Sequence, residues 1–147
     1  ENLGALNKLS IILKIETRRA FDNLMEILLT AMKVNYVGVM IARGDLAVET
    51  GWDNIGRVQK EILSLCNAAH IPVVWATQVL ENLAKKGLPS RSEITDATRS
   101  LKAECVMLNK GPFINDAISL LDKILRNMED YNEKNESMLP QLEKLMN

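Results

Sequence analysis

Four short apolar, β-rich runs alternate with four longer stretches of helical periodicity, and this alternation restricts the fold more than any other feature of the chain. The runs lie at residues 9–16, 36–42, 72–76 and 105–108. Between and after them, residues 18–32 place Phe21, Leu24, Leu28 and Met32 at helical spacing, and 54–69 place Ile55, Val58, Ile62 and Leu65 on one face. A third helix is expected at 92–101, with Ser90 or Ser92 as its N-cap. A fourth is expected at 115–132, carrying Ile118, Leu121, Leu125 and Met128. Strand–helix order repeated in this way predicts an α/β fold with parallel strands and right-handed helical crossovers. Nearly continuous apolar strands predict a sheet buried on both faces. An open doubly wound sheet and part of a (β/α) TIM-type barrel, about four βα units, both fit this pattern. No Gly-x-Gly-x-x-Gly comes after a strand and no Walker A sequence occurs, so neither a dinucleotide crevice nor a P-loop is expected.

Composition narrows the function classes. The 147 residues suit one ordinary domain, and 47% hydrophobic with 25% charged residues is a globular balance. A net charge of −1 gives no basic field for nucleic acid or a membrane surface. No apolar run reaches the roughly 18 residues of a membrane span. Cys66 and Cys105 cannot build a disulfide framework; both are expected to be reduced core residues of a cytoplasmic protein. With a single histidine, His70, they make no zinc site. His70 sits at a helix-to-strand turn and is expected at the surface. Glu1, standing where an initiator Met would, predicts upstream residues in the natural protein. Residues 129–137 turn polar, Pro140 interrupts the segment after them, and 138–146 reads as a short apolar-periodic helix. The expected division is therefore a domain over 1–130 and a C-terminal tail or short helix over 131–147.

Polar residues gather where the strands end. The runs finish in Lys14-Ile15-Glu16, Ala42-Arg43-Gly44-Asp45, Ala76-Thr77-Gln78 and Leu108-Asn109-Lys110-Gly111. Parallel β/α proteins bind ligands at the carboxyl ends of their strands. Side chains two apart on a strand share a face, so Lys14 points with Glu16, and Arg43 with Asp45. Two carboxylates with a lysine suit a divalent cation and an anionic phosphoryl group or enolate. Taken pair by pair, the same residues also fit solvated salt bridges at strand ends. Trp75 shares parity with Thr77 and is expected to fill a layer of the sheet interior.

In order and spacing, Lys14-Ile15-Glu16, the Ala42–Glu49 run, the Ala76–Glu81 run and Pro89-Ser90-Arg91-Ser92-Glu93 resemble pyruvate kinase, over about residues 11–128. The resemblance implies the second half of that family's β/α barrel. It implies Glu16 and Asp45 as ligands of Mg²⁺ or Mn²⁺, and Lys14 as the lysine that stabilises the transferring phosphoryl group and the enolate. It implies Ala42, Arg43, Gly44 and Asp45 as the stretch beside the phosphoenolpyruvate carboxylate, at the start of a helical turn over 46–50. Thr77 becomes the hydroxyl near that carboxylate and near the carbon that is protonated. The implied reaction is phosphoenolpyruvate plus ADP to pyruvate plus ATP, with K⁺ held by residues outside this chain. The implied form is a homo-oligomer, or pairing with a missing half-barrel, and activity only in a complete barrel. Arg91 and Glu93 match a motif near the family's subunit contacts.

Three positions depart from the family pattern. Asn109-Lys110-Gly111-Pro112 replaces the usual Ser-Gly-Glu-Thr, whose serine and glutamate serve proton relay and active-site water. Ala47 replaces a glycine, and Trp75 a small residue. Two other readings use the same residues: a metal-dependent lyase or aldolase of the phosphoenolpyruvate/pyruvate barrel group, and a non-catalytic module that kept the fold.

Overall fold

Four parallel strands form one sheet in sequence order, β1 (Ser10–Ile15), β2 (Tyr36–Ala42), β3 (Val73–Val79) and β4 (Cys105–Leu108), so each crossover carries the chain to the adjacent strand. The computed structural model describes residues 10–33 and 36–145, with side chains up to residue 133. The α/β class and the parallel order agree with the alternation read in the sequence. The helices are α1 (Arg18–Asp22), α2 (Leu24–Ala31), α3 (Arg43–Thr50), α4 (Ile55–Ala68), α5 (Glu81–Lys86), α6 (Arg91–Arg99) and α7 (Ile114–Leu145), with a 3₁₀ turn at Ser100–Lys102. The chain divides into two compact units: Glu1–Val79 with Lys102–Leu108, and Leu80–Leu101 with Asn109–Asn147.

The first unit contains the sheet. Its buried residues include Ile15 of β1, Val39, Ile41 and Ala42 of β2, and Val73 and Trp75 of β3. Helix α2 contributes Leu24 and Leu28, and α4 contributes Val58, Ile62 and Cys66, a stripe at four-residue spacing. Gly38 lets β2 pass close to the turn before β3: a Cβ there would lie 3.3 Å from the Pro72 carbonyl oxygen, which accepts from Val39 N–H at 2.9 Å. In the second unit, the Ser90 and Glu93 side chains form a reciprocal capping box that starts α6, so Ser90, not Ser92, is the N-cap. Leu83, Ala84, Ala97, Ala117 and Leu121 are buried there.

Several expectations need correction. The helix expected over 18–32 is two helices. Asn23 parts them: its side-chain amide and backbone N–H both donate to the Arg19 carbonyl and terminate α1. Met32 is half exposed, because the buried stripe ends at Leu28. Strand β3 extends to Val79, and α5 is an additional short helix. The turn at 46–50 is a full helix that begins at Arg43. Helix α7 does not stop near residue 132; its backbone is helical past Pro140 to Leu145. A proline removes one N–H and tends to kink a helix, and here the kinkable site lies within helix-favouring Glu, Lys, Leu and Met. The side chains of 138–146, expected to form an apolar stripe, lie outside the described residues, as does Leu9. Ile118 is 52% exposed, since Ala117 and Leu121 form the buried stripe instead. Cys66 is fully buried, but Cys105 is exposed at the first position of an outer strand. Double-sided burial also fails for β1, where Ser10, Ile12 and Lys14 form an exposed face. Among the described residues no helix is long and apolar enough to cross a membrane.

Candidate functional site

The carboxyl ends of β1, β2 and β3 bring the predicted polar residues together within the first unit. Parallel pairing sets the register, with Lys14 beside Met40, Ile15 beside Ile41, and Ala42 beside Ala76. Ile15 is buried and anchors the strand end, which leaves Lys14 and Glu16 on its open side. The Lys14 ammonium forms an ion pair with Glu16 and lies 3.9 Å from Asp45 Oδ2. The side chains are 51%, 40% and 69% exposed, so solvent reaches all three. The hydrogen bond from Lys14 to Glu16 raises the lysine pKa above its ordinary value; desolvation opposes it, and the charges of Glu16 and Asp45 add to the rise. Lys14 therefore carries its proton throughout the neutral range.

Asp45 reaches this cluster because α3 starts immediately after β2. The strand-parity expectation that Arg43 and Asp45 point together is overturned for the same reason. Residues two apart on a helix diverge. Arg43 turns inward and is buried, whereas Asp45 faces solvent. The Arg43 Nε–H donates to the Ala76 carbonyl at 3.0 Å, and Nη2 donates to the Thr77 carbonyl. Its guanidinium lies over the Trp75 ring, 4.6 Å from the centroid. Ala42 stands at the N-cap and supplies no side-chain cap to α3. The first-turn N–H groups, at the positive end of the helix, are thus not capped by their N-cap residue, a setting that favours an anion. Gly44 carries no side chain at this point. A Cβ there would lie 3.5 Å from Thr77 Oγ1 and 3.7 Å from Gln78 Oε1, so the Thr77 hydroxyl adjoins the start of α3.

Lys14, Glu16, Asp45, Gly44 and Thr77 thus gather at one end of the sheet, with Arg43 buried beneath Thr77. Two carboxylates are a hard-oxygen donor pair that fits a divalent cation sharing its other positions with water and substrate oxygens. Among the described residues no group of three or more His, Cys, Asp or Glu side chains could hold a metal by itself. A cation here would need substrate or water oxygens to complete its coordination.

The pyruvate kinase barrel-domain model matches residues 3–112. This chain belongs to the pyruvate kinase family. It is 40% identical over 136 residues to a pyruvate kinase of Dictyostelium discoideum, covering 88% of this chain and 26% of that protein. It is 35% identical over 128 residues to a pyruvate kinase of Thermotoga maritima, covering 83% and 26%. A crystal structure of a pyruvate kinase from Cryptosporidium parvum superposes with a TM-score of 0.73 at 36% identity, over 82% of this chain and 25% of that one. The chain spans about a quarter of the length of these relatives. Its four-strand parallel sheet is accordingly a partial TIM barrel.

Other residues of the family motifs have structural tasks. Glu93 accepts from Asn82 N–H at 2.5 Å, from Ser90 N–H at 2.8 Å and from Ser90 Oγ at 3.0 Å. Burial alone would raise its pKa, but the hydrogen bonds from Ser90 and Asn82 outweigh it and hold the carboxyl below its ordinary value. Glu93 therefore joins α5 to α6. In the departing Asn109–Pro112 segment, Gly111 is required by close approach. A Cβ there would collide with the Ala84 carbonyl oxygen, to which Phe113 N–H donates at 3.0 Å. Sequence reasoning missed the Arg43–Trp75 stack. A large aromatic two residues before Thr77 was the available signal, but the turn of α3 that aims Arg43 at it was not visible in strand parity.

Proposed function

We propose that this chain supplies the phosphoryl-transfer end of a pyruvate kinase barrel, active when the remaining strands are present. The observation that carries this reading is the Lys14 ammonium held beside Glu16 and within 3.9 Å of Asp45, at the strand ends where β/α proteins bind ligands. Glu16 and Asp45 would hold Mg²⁺ or Mn²⁺. When bound, that ion would supply positive charge to phosphoryl and enolate oxygens. The N–H groups of Gly44 and Asp45 at the start of α3 would bind the phosphoenolpyruvate carboxylate. Lys14 would neutralise the phosphoryl group as its bond to the enol oxygen breaks and a bond to the terminal phosphate oxygen of ADP forms. The lysine would then stabilise the enolate, which takes up one proton at carbon to give pyruvate. Thr77 would donate to the substrate carboxylate and stand beside that carbon. Arg43 would act on the substrate indirectly, through the backbone of Thr77. ADP and K⁺ contacts would come from residues outside this chain, and so would the strands that pair with the outer edges of β1 and β4. The barrel-like part would occupy 1–130, with 131–147 as a tail.

Mn²⁺ titration of the intact protein in the presence of oxalate, a stand-in for the enolate, tests the metal assignment. Glu16→Gln and Asp45→Asn are each expected to weaken Mn²⁺ binding about tenfold or more. Wild-type affinity in both variants would contradict it. The Asn109–Pro112 departure favours one second reading, a metal-dependent lyase or aldolase on the same enolate site, which would show carbon–carbon cleavage without ADP.

A further inference from the structure

We propose that Trp75 is a positioning residue of this site: its indole face holds the Arg43 guanidinium across two backbone carbonyls and thereby sets the Thr77 hydroxyl beside Gly44. The Ala76 and Thr77 carbonyls, which accept from Arg43, belong to the peptide groups on either side of the Thr77 Cα. One planar guanidinium thus fixes both peptide planes and with them the direction of the Thr77 side chain. A guanidinium engaged edge-on by carbonyls still needs its flat face covered when buried, and Trp75 covers it at 4.6 Å. Both side chains are buried, Trp75 to 1% exposure and Arg43 to 8%, so the contact is shielded from water.

Among the described residues, Trp75 Nε1 is buried without a hydrogen-bond partner. A residue that served only to fill space would do so at lower cost as phenylalanine, which has no donor to desolvate. What indole adds is the strongest cation-binding face among the side chains. The chain continues from this clamp into the residue that adjoins Gly44, where a Cβ would already lie 3.5 Å from Thr77 Oγ1. A small change in Thr77 would therefore be felt at the start of α3. The catalytic consequence rests on the function proposed above; the clamp itself does not.

The test uses the intact protein with Trp75→Phe and Trp75→Met. In wild type, the Arg43 Nε–H resonance should exchange slowly with solvent, and its neighbouring side-chain protons should be shifted upfield by the indole ring. Trp75→Phe should keep slow exchange, whereas Trp75→Met, apolar but without a ring, should lose it. With phosphoenolpyruvate, ADP and Mg²⁺, Trp75→Met should lower kcat by about 10- to 100-fold with little change in Mn²⁺ affinity, and Trp75→Phe should restore most of it. An unshifted wild-type Arg43, or slow exchange retained in a folded Trp75→Met, would overturn the clamp. A protein without turnover that shows the expected Arg43 signals would retain the clamp and refute the reaction. If Trp75→Met does not fold, the wild-type ring shift and the Trp75→Phe exchange decide the question.

Discussion

At the residue scale, charge is placed where it contributes little to folding. Lys14, Glu16 and Asp45 are solvent-reached, and exposed ion pairs of this kind add little stability. Glu93 is the opposite case, a nearly buried carboxylate that accepts hydrogen bonds from two elements. Glu93→Gln replaces one acceptor oxygen with a donor that faces other donors, and should destabilise the protein by about 1–3 kcal/mol near neutral pH. The pKa is lowered in the folded state, so its stabilisation is present above the unfolded value and lost as pH falls through the folded one. The difference in melting temperature between wild type and Glu93→Gln should therefore be largest near pH 7 and shrink below about pH 4.3. A difference that is constant with pH would contradict the assignment. The gathering of Lys14, Glu16 and Asp45 was legible in the sequence, because strand parity and strand ends are local patterns. The inward turn of Arg43 was not, because it depends on a helix starting one residue after the strand.

At the element scale, the strands were read well and the helix ends less so. β4 matches its sequence reading residue for residue, and β2 does too, since short apolar runs between turns are unambiguous. The break at Asn23 and the continuation of α7 past Pro140 depend on single capping and backbone choices that periodicity does not register. Two glycines separate local propensity from tertiary fit. Gly111→Ala would drive a Cβ into the Ala84 carbonyl and should destabilise by about 1–3 kcal/mol or more. Gly56, in α4, has nothing among the described residues within 4 Å of its would-be Cβ, so Gly56→Ala should stabilise by up to about 1 kcal/mol. Thermal melts of the two variants in the intact protein check both signs; equal effects would show that the Asn109–Phe113 turn does not press on α5.

At the scale of the whole molecule, the four strands found among the described residues run in sequence order, with β1 and β4 as the outer strands of their parallel sheet. Such edges call for pairing or cover, which in the proposed function the remaining strands of a barrel would supply. The alternation of runs made the parallel sheet legible; what the outer strands pair with was not, because edge pairing is a long-range contact that local periodicity does not register. The most direct test of the central claim, that Lys14, Glu16 and Asp45 form a phosphoryl-transfer site, is pyruvate formation by the intact protein. The assay supplies phosphoenolpyruvate, ADP, Mg²⁺ and K⁺, and compares wild type with a Lys14→Met variant of unchanged melting temperature. Turnover in wild type that falls by about 10²- to 10³-fold or more in the variant is the predicted result. A variant that turns over within a few-fold of wild type would contradict it.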